Sequence, residues 1–510
     1  MSTSELPTLD IWVGTTYFKV PTDRQGKTPA GVSVRNFVKH NLVQSEFDFN
    51  LRIWVPVCNY SIYSDVDSAA YFPRYTLDDF IAEMSPNVDV VQHQLPYVES
   101  PDVSIELKPE FSPREHQLPI IQFLSDPNTT YKPLSAGCGT GKTASSIAAM
   151  SKLGGPVLIV LGMLIDQWYK EIFSFTTLTE DEVVIVRGHE SLKKLWSDLD
   201  NGIRPKVVIF STRTLSLYCD NKPNYSDVPP YSKFLEVLGV RTKIFDECHK
   251  NFYANTRIDL VSNVQHNIYL SATYSRSDAS GKTIFNKIYP KDMRYGEGTN
   301  KRYTEVYCYS YKLGIPEDHT TQFNLAKGYL HPLYESYLLR HKKRYFQKFL
   351  NMLFFMIDTY WRNLRKPNQK LLILCRTQKF VLALEQKIYK HYRHYKKHRF
   401  VVRHYFSGDT NAGSRDILNS ADIIVSTMNS ASTGIDIPGL KTCINTVSFS
   451  SEPSAAQALG RLREIPGEPT IYVDVRNSDI PQHGYHYFSR RRTYLPRALF
   501  LKDRVYKEND

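Results

Sequence analysis

The sequence contains no C-x-x-C pair, and its seven cysteines lie far apart along 510 residues. This spacing favours neither a zinc site nor a disulfide framework, so we expect free thiols in a reducing compartment. Long apolar runs are also missing, and the longest, residues 352–357, falls well short of the ~18 residues that a membrane span needs. No charged-then-apolar segment opens the chain. We therefore expect a soluble intracellular protein with no membrane partner.

Acidic residues are in the minority, and the imbalance is uneven along the chain. The net charge is +12, yet residues 1–100 hold 7 Lys and Arg against 12 Asp and Glu. The remaining residues hold 57 against 40, a balance of +17. Because nucleic-acid affinity comes mainly from neutralised phosphates, we expect any such binding from residues 101–510.

A glycine-rich stretch at residues 136–143, A-G-C-G-T-G-K-T, is the most informative feature of the chain. It follows a short β run and precedes helix-forming residues, with Ala136 in place of the usual first glycine. Its backbone N–H groups and the positive end of the following helix can surround a polyphosphate. Lys142 can then reach the β and γ phosphates, and Thr143 can hold Mg²⁺. The alternative is a flexible glycine-rich turn.

Downstream, apolar runs alternate with helical segments, which predicts a parallel sheet with helices on both faces. One run ends at Asp246-Glu247-Cys248-His249. Ligands of such sheets bind at the carboxyl ends of the strands, so Asp246 can hold Mg²⁺ while Glu247 deprotonates the attacking water. A solvated acidic turn is the alternative. The runs are residues 157–161, 183–186, 207–210, 244–245 and 268–270.

Further β runs predict a second α/β lobe, and residues 1–105 carry short β runs broken by Pro and Gly that predict a small accessory domain. A Pro-rich link then leads to Arg114 and Gln117. The amide of Gln117 offers the donor and the acceptor that an adenine edge requires, with a solvated helix start as the alternative. The runs of the second lobe are residues 371–374, 400–402, 423–425, 443–447 and 471–473.

Taken in order, these stretches resemble the motifs of superfamily 2 helicases over about residues 110–475. The loop, the DECH sequence and Ser271-Ala272-Thr273 look like motifs I, II and III, and residues 158–168 are similar to motif Ia. Residues 426–427 with 433–436 resemble motif V, and residues 457–461 resemble motif VI. Within the superfamily, the chain looks most like the transcript-release DNA helicases of poxviruses and related helicases of other large DNA viruses.

The resemblance implies an α/β fold with two RecA-like domains, at residues 106–300 and 301–480, each with a parallel sheet. Residues 1–105 would be the β-rich accessory domain and 481–510 a basic C-terminal extension. The implied ATP contacts are Arg114, Gln117, Ala136, Gly137, Cys138, Gly139, Thr140, Gly141, Lys142, Thr143, Gly434 and Asp436. The implied Mg²⁺ ligands are Thr143 and Asp246. Coupling of the nucleotide site to movement is implied for His249, Ser271, Thr273 and Gln457, and nucleic-acid contact for Gln167, Thr212, Arg376, Thr427 and Thr433.

The implied activity is ATP- and Mg²⁺-dependent movement along DNA in the 3′ to 5′ direction, in transcript release or DNA metabolism. We expect a monomer whose partner is nucleic acid, DNA rather than RNA, with the transcription machinery as a further partner. If the protein is viral, the host cytoplasm and the virion are the expected compartments. Three alternatives stay open: an RNA helicase, a duplex translocase that does not unwind, and a scaffold without the chemistry.

Motif VI departs from the family pattern Gln-x-x-Gly-Arg-x-x-Arg. The second arginine, Arg463, follows Arg461 by two positions, and Glu464 stands where an arginine is expected. In a continuous helix, a shift of one residue turns a side chain by ~100°. Arg461 is the first choice for the arginine that meets the transition-state charge, and Arg463 is the second. An early end of the helix, which Pro466-Gly467 favours, would remove this angular argument.

Two basic clusters with aromatic residues stand outside the motifs. Residues 387–399 alternate cations with Tyr and His, a pattern that can grip phosphates and stack bases, or form a solvated helix face. Residues 490–492 are three arginines near Tyr485, Tyr487 and Phe488. This second cluster could contact duplex or pack on the second lobe.

Overall fold

The computed structural model describes residues 6–48, 51–137, 139–220, 225–272, 274, 276, 279–296, 302–325, 328–393, 400–406, 418–432 and 437–507. The chain divides into two compact units. Unit 1 contains residues 1–136 and 140–297, and unit 2 contains residues 298–510 together with Gly137–Gly139. None of the helices in the described ranges is long and apolar enough to cross a membrane.

Unit 1 opens with a small β-rich region. Five strands form a sheet in the order β5-β6-β2-β1-β7, in which only β1 and β7 pair in parallel, and β3 and β4 form a separate antiparallel ribbon. The strands are β1 (Thr8–Val13), β2 (Tyr17–Pro21), β3 (Val43–Asp48), β4 (Ile53–Asn59), β5 (Ile62–Ser64), β6 (Ala69–Pro73) and β7 (Asp89–Gln94). Its helices are α1 (Arg35–Phe37), continued by a π-helical turn at Val38–Leu42, and α2 (Leu77–Met84).

The rest of unit 1 contains a six-stranded sheet in which every pairing is parallel, in the order β10-β11-β9-β12-β13-β8. Its strands are β8 (Tyr131–Ser135), β9 (Val157–Leu161), β10 (Val183–Val186), β11 (Val207–Ser211), β12 (Thr242–Asp246) and β13 (His266–Ser271). The helices are α3 (Leu118–Leu124), α4 (Lys142–Leu153), α5 (Ile165–Phe175), α6 (His189–Asp200), α7 (Thr212–Cys219), α8 (Tyr231–Leu238), α9 (Phe252–Asp259) and α10 (Ala279–Ile288). Single 3₁₀ turns occupy Arg74–Thr76, Glu115–Gln117, Glu180–Glu182 and Lys291–Met293.

The two parts of unit 1 share one apolar core, since residues from β1, β2 and α2 belong to the same buried cluster as residues from α8, β13 and α10. Buried hydrogen bonds join them as well. The N–H of Thr15 donates to Oδ1 of Asn263 at 2.9 Å, and the hydroxyl of Thr16 donates to the carbonyl of Asp259 at 2.9 Å. The described residues of this N-terminal region, 6–48 and 51–105, therefore share a folded core with the six-stranded sheet.

Unit 2 is built on a seven-stranded sheet, also parallel at every pairing, in the order β18-β19-β17-β20-β21-β14-β22. Its strands are β14 (Thr304–Tyr311), β17 (Lys370–Cys375), β18 (Val402–Tyr405), β19 (Ile423–Thr427), β20 (Leu440–Asn445), β21 (Thr470–Asn477) and β22 (Ala498–Val505), with a hairpin of β15 (Asn324–Leu325) and β16 (Gly328–Tyr329). The helices are α11 (Glu317–Thr320), α12 (His331–Arg340), α13 (Gln347–Ile357), α14 (Gln378–Tyr392), α15 (Met428–Ser432), α16 (Glu452–Leu459) and α17 (Pro481–Tyr494). A 3₁₀ turn lies at Thr321–Phe323 and π-helical turns at Lys342–Phe346 and Asp358–Arg362.

Both large sheets are covered on two faces, because each carries one buried apolar cluster per face. Strands in that position read as continuous apolar runs, which is why the runs of the sequence locate the central strands. The α/β class with two parallel sheets and a β-rich N-terminal region is confirmed. Residues 481–507 contribute α17 and the edge strand β22 to the second sheet.

Candidate active site

The glycine-rich loop joins the carboxyl end of β8 to the first turn of α4. Gly139 and Gly141 have φ angles of +79° and +83°, in the left-handed region that glycine adopts without strain. The N–H of Ala136 donates to the carbonyl of Ser271 at 3.0 Å, so the start of the loop is fixed to the end of β13. The loop therefore lies against the neighbouring strand, with the N-terminus of α4 directly behind it.

Gln117 supports the loop from the other side. Its side chain is buried, its Oε1 accepts the N–H of Arg114 at 2.8 Å, and its Nε2 approaches the carbonyl of Thr140 at 3.5 Å. A Cβ at Gly141 would lie 1.8 Å from Nε2 of Gln117, so only glycine fits there without movement. In this conformation both ends of the amide contact the chain itself. The predicted adenine contact of Arg114 and Gln117 stays a prediction.

Lys142 begins α4 and points back across the loop. Its Nζ donates to the carbonyl of Ala136 at 2.9 Å and lies 3.9 Å from Oε1 of Glu247. The ammonium and the carboxylate are both largely buried, with 11% and 23% of their side chains exposed. Two motifs that are about a hundred positions apart in the sequence thus meet at one edge of the sheet, as the parallel arrangement predicts.

Asp246 ends β12 and is held by two hydrogen bonds. Its Oδ2 accepts the indole N–H of Trp168 at 2.9 Å, and its Oδ1 accepts the backbone N–H of Glu247 at 2.9 Å. Burial, assisted by the neighbouring Glu247 carboxylate, raises the pKa of Asp246 to about 6. The Trp168 bond opposes this shift, because it favours the ionised form of the carboxyl group.

Glu247 has a left-handed backbone, with φ at +49°, which is uncommon for a residue with a side chain. Strain of this kind is concentrated at functional sites. Its Oε2 lies 3.3 Å from Nδ1 of His249, and the same Nδ1 is 2.8 Å from the hydroxyl of Ser271. Burial lowers the pKa of His249 to about 4, so the imidazole is neutral at physiological pH. The three side chains form a short polar chain from β13 to the carboxylate.

The donor set at this edge fits Mg²⁺. This ion prefers one or two carboxylates together with substrate phosphates and water. Asp246 supplies a carboxylate whose oxygens each keep acceptor capacity beyond the bond described above, and Thr143 supplies a hydroxyl in the first turn of α4. Among the described residues, no cluster of three or more His, Cys, Asp or Glu forms a metal site of its own. This arrangement fits an ion whose other ligands would come mainly from the phosphates of a bound polyphosphate.

The residues predicted to contact nucleic acid differ in how far their side chains are exposed. Gln167 is half-buried on α5 and donates to Oε1 of Glu171 at 2.6 Å, while Thr212 is buried in the first turn of α7. In unit 2, Arg376 is exposed directly after β17. Thr427 is buried, and its hydroxyl donates to the Ser430 hydroxyl at 2.8 Å. Of these four described residues, only Arg376 is classed as exposed in this conformation.

Glu335 is a functional candidate that sequence reasoning missed. This carboxylate on α12 is 1% exposed and accepts the N–H groups of Arg376 and Thr377 at 2.6 and 2.8 Å, and the Thr377 hydroxyl at 2.6 Å. Burial raises the pKa of Glu335 to about 7. It fixes the turn that presents Arg376. Nothing in the local sequence marks it, because its partners lie 41 and 42 residues away.

Motif VI does not continue as a helix. α16 ends at Leu459 with Gly460 as its C-terminal cap, and Arg461 lies in the turn that follows, with Arg463 beyond it. The early end of the helix is therefore observed, so the ~100° rotation per residue of a continuous helix does not decide where the two arginine side chains point. Arg461 is 6% exposed, whereas Arg463 is half-buried, and Gln457 is buried on α16.

The basic clusters are partly used for packing. Arg490 is fully buried and makes a two-pronged ion pair with Asp474, at 2.9 and 3.1 Å. Of residues 387–393, Tyr392 is buried and His391 stacks on Phe354 with ring centroids 3.8 Å apart.

Some of the predicted site lies outside the described residues: Cys138, Thr273, Thr433, Gly434, Asp436 and residues 394–399.

No protein-family model and no curated protein matches the chain. The structure is similar to that of the ATP-dependent Type ISP restriction-modification enzyme LlaBIII bound to DNA, with a TM-score of 0.51 and 14% sequence identity. The likeness covers 84% of this chain, which spans 34% of that enzyme. A weaker likeness is to S. cerevisiae Dbp5 bound to RNA and ADP BeF3, with a TM-score of 0.46 and 14% identity over 77% of this chain and 90% of that one. The first likeness, together with the two parallel sheets, shows a fold of two RecA-like domains.

The bond from Trp168 to Asp246 leads to a first prediction. Trp168→Phe keeps the buried ring and removes the N–H donor, so Asp246 should hold Mg²⁺ less firmly. We expect the Mg²⁺ concentration for half-maximal ATP hydrolysis to rise roughly 10- to 100-fold, the usual cost of losing such a supporting partner. The matched control is Trp196→Phe, because that indole also donates a buried hydrogen bond, to Tyr218 at 3.1 Å, but within the core. An unchanged Mg²⁺ requirement in Trp168→Phe would show that the bond does not position the carboxylate.

The two arginines of motif VI lead to a second prediction. If Arg461 meets charge that develops only in the transition state, Arg461→Ala should leave ATP affinity largely intact and lower turnover by about 10³-fold or more. Arg463→Ala should lower turnover much less than Arg461→Ala does. Steady-state ATP hydrolysis with a saturating single strand is the measurement, and thermal unfolding separates a lost contact from a lost fold. A larger turnover defect in Arg463→Ala reverses the assignment.

Proposed function

We propose that this protein is an ATP-driven motor of the superfamily 2 helicase type that moves along nucleic acid, with DNA as the favoured strand. The observation that carries the proposal is the meeting of Lys142, Asp246 and Glu247 at the carboxyl edge of the first parallel sheet. A phosphate-binding lysine beside two carboxylates is the arrangement that phosphoryl transfer to water requires.

In this proposal ATP replaces the internal contacts of Lys142. The β and γ phosphates take the place of the Ala136 carbonyl, and the loop N–H groups and the N-terminus of α4 surround them. Glu247 accepts a proton from the attacking water, and the neutral His249 orients its carboxylate. Mg²⁺, held through Asp246 and Thr143, would offset the charge of the phosphates.

Hydrolysis would be transmitted to the strand through the elements that hold these groups. Trp168 bonds to Asp246, and the adjacent Gln167 is a proposed strand contact on the same helix. Ser271 at the end of β13 bonds to His249 and accepts the loop N–H of Ala136 through its carbonyl. A movement of α5 or of the end of β13 therefore changes the positions of the carboxylates, and the reverse holds as well.

DNA is favoured on two grounds. The sequence motifs look most like those of transcript-release DNA helicases of large DNA viruses, and LlaBIII, whose structure is similar over 84% of this chain, was bound to DNA. A role in transcript release, with movement from 3′ to 5′ and the transcription machinery as a partner, follows from the same resemblance. An RNA helicase would use the same groups, because such a motor grips backbone phosphates.

The test is ATP hydrolysis with matched DNA and RNA strands of one sequence. We expect stimulation by single-stranded DNA to exceed that by RNA. Glu247→Gln should bind ATP normally and hydrolyse it at least ~100-fold more slowly, the scale of a lost general base, whereas Lys142→Ala should weaken ATP binding. Glu236→Gln, on the exposed face of α8, is the control substitution. Near-normal turnover by Glu247→Gln would refute the site, and stronger stimulation by RNA would favour the RNA helicase.

A further inference from the structure

A cavity of about 440 Å³ lies at the carboxyl edge of the second sheet, away from the motifs. The ends of three neighbouring parallel strands, β21, β14 and β22, form it together with one face of α13. In open parallel sheets this is the edge at which ligands bind. The volume is within the range of pockets that hold a small ligand.

The rim of the cavity is built from segments that hold each other in place. Oδ2 of Asp479 accepts the N–H groups of Leu313, Gly314 and Ile315, at 2.8, 2.9 and 3.2 Å, and so fixes the turn that follows β14. The N–H of Ser478 donates to the carbonyl of Tyr311 at 2.8 Å. On the other side, the N–H of Tyr506 donates to the carbonyl of Ser310 at 2.8 Å. The cavity is therefore formed before any ligand arrives.

Its lining combines positive charge with an apolar wall. Lys312, Lys348 and Lys507 come from three different elements. The nearby Asp479 is turned toward three backbone N–H groups, which offset its charge. The half-buried Tyr506 supplies an aromatic wall. Ammonium groups beside an aromatic ring suit a ligand with a phosphate and a flat base.

We propose that this cavity, the β14 pocket, binds one nucleotide unit, with its phosphate on the three lysines and its base against Tyr506. The inference rests on the proposed function, because the bound nucleotide unit would belong to the strand on which the motor moves. β14 is three strands from β17, which presents Arg376 at the same edge, and strands are ~4.8 Å apart. The pocket and the strand end that presents Arg376 are therefore ~14 Å apart along the edge of the sheet.

The test compares two triple variants that lose the same charge. The first is Lys312→Ala with Lys348→Ala and Lys507→Ala, in the β14 pocket. The control is Lys194→Ala with Lys282→Ala and Lys291→Ala, three exposed lysines of unit 1. The probe is a fluorescent 20-nucleotide thymidine strand, whose anisotropy is measured without ATP at several salt concentrations.

We expect the pocket variant to bind the strand roughly 10- to 100-fold more weakly at low salt. The slope of the logarithm of the binding constant against the logarithm of the salt concentration should become less steep by about 2, the value for three lost phosphate contacts to a single strand. The control should leave the slope unchanged. Tyr506→Ala should weaken binding without changing the slope, because a stacked base carries no charge. Equal binding by the two triple variants would overturn the pocket while leaving the proposed motor intact.

A second arm separates the pocket from the proposed function. Binding of dTMP is followed by saturation-transfer NMR in a Lys142→Ala background, in which the phosphate loop is weakened. If the wild-type protein does not bind the strand, the proposed motor function is refuted. The dTMP experiment alone then tests whether the β14 pocket binds a nucleotide. A dTMP signal that the pocket variant loses and the control keeps supports a site for a free nucleotide. Equal signals in both variants, or none in the parent, overturn the β14 pocket.

Discussion

The parallel pairing of strands that are buried on both faces is the constraint on which the whole site depends. Such strands must all run in one direction, so their carboxyl ends meet at a single edge. In the first sheet β12, β13 and β8 are neighbours, and they bring Asp246, Ser271 and the start of the phosphate loop side by side. No local preference of the sequence could assemble groups that lie more than a hundred residues apart.

The geometry also suggests how nucleotide chemistry and strand contact are related. Asp246 accepts a hydrogen bond from a tryptophan of α5, and Oε2 of Glu247 lies 3.3 Å from a histidine that also contacts a serine of β13. Asp246 therefore depends on the helix that also carries Gln167, a proposed strand contact. The left-handed backbone of Glu247 is consistent with this, because strain persists only where the surroundings over-determine a conformation.

The sequence predicts most strands of the two parallel sheets and the chemical groups, and it misses β14, β22 and the supporting partners. Apolar runs locate β9 and β19 because those strands are buried on both faces. β22 escapes notice because most of its positions are exposed at the end of the sheet. Glu335 and the bond of Trp168 escape because long-range hydrogen bonds leave no local pattern. Motif VI shows the same limit, since the end of α16 decides how its arginines are presented.

In the proposed motor, ATP hydrolysis at the Lys142, Asp246 and Glu247 site drives directional movement along a strand. The most direct test is ATP-dependent displacement of streptavidin from oligonucleotides biotinylated at one end or the other. A motor that moves from 3′ to 5′ should release streptavidin from the 5′ end, and only with ATP. Release from neither end by a preparation that hydrolyses ATP in response to the strand would contradict the account.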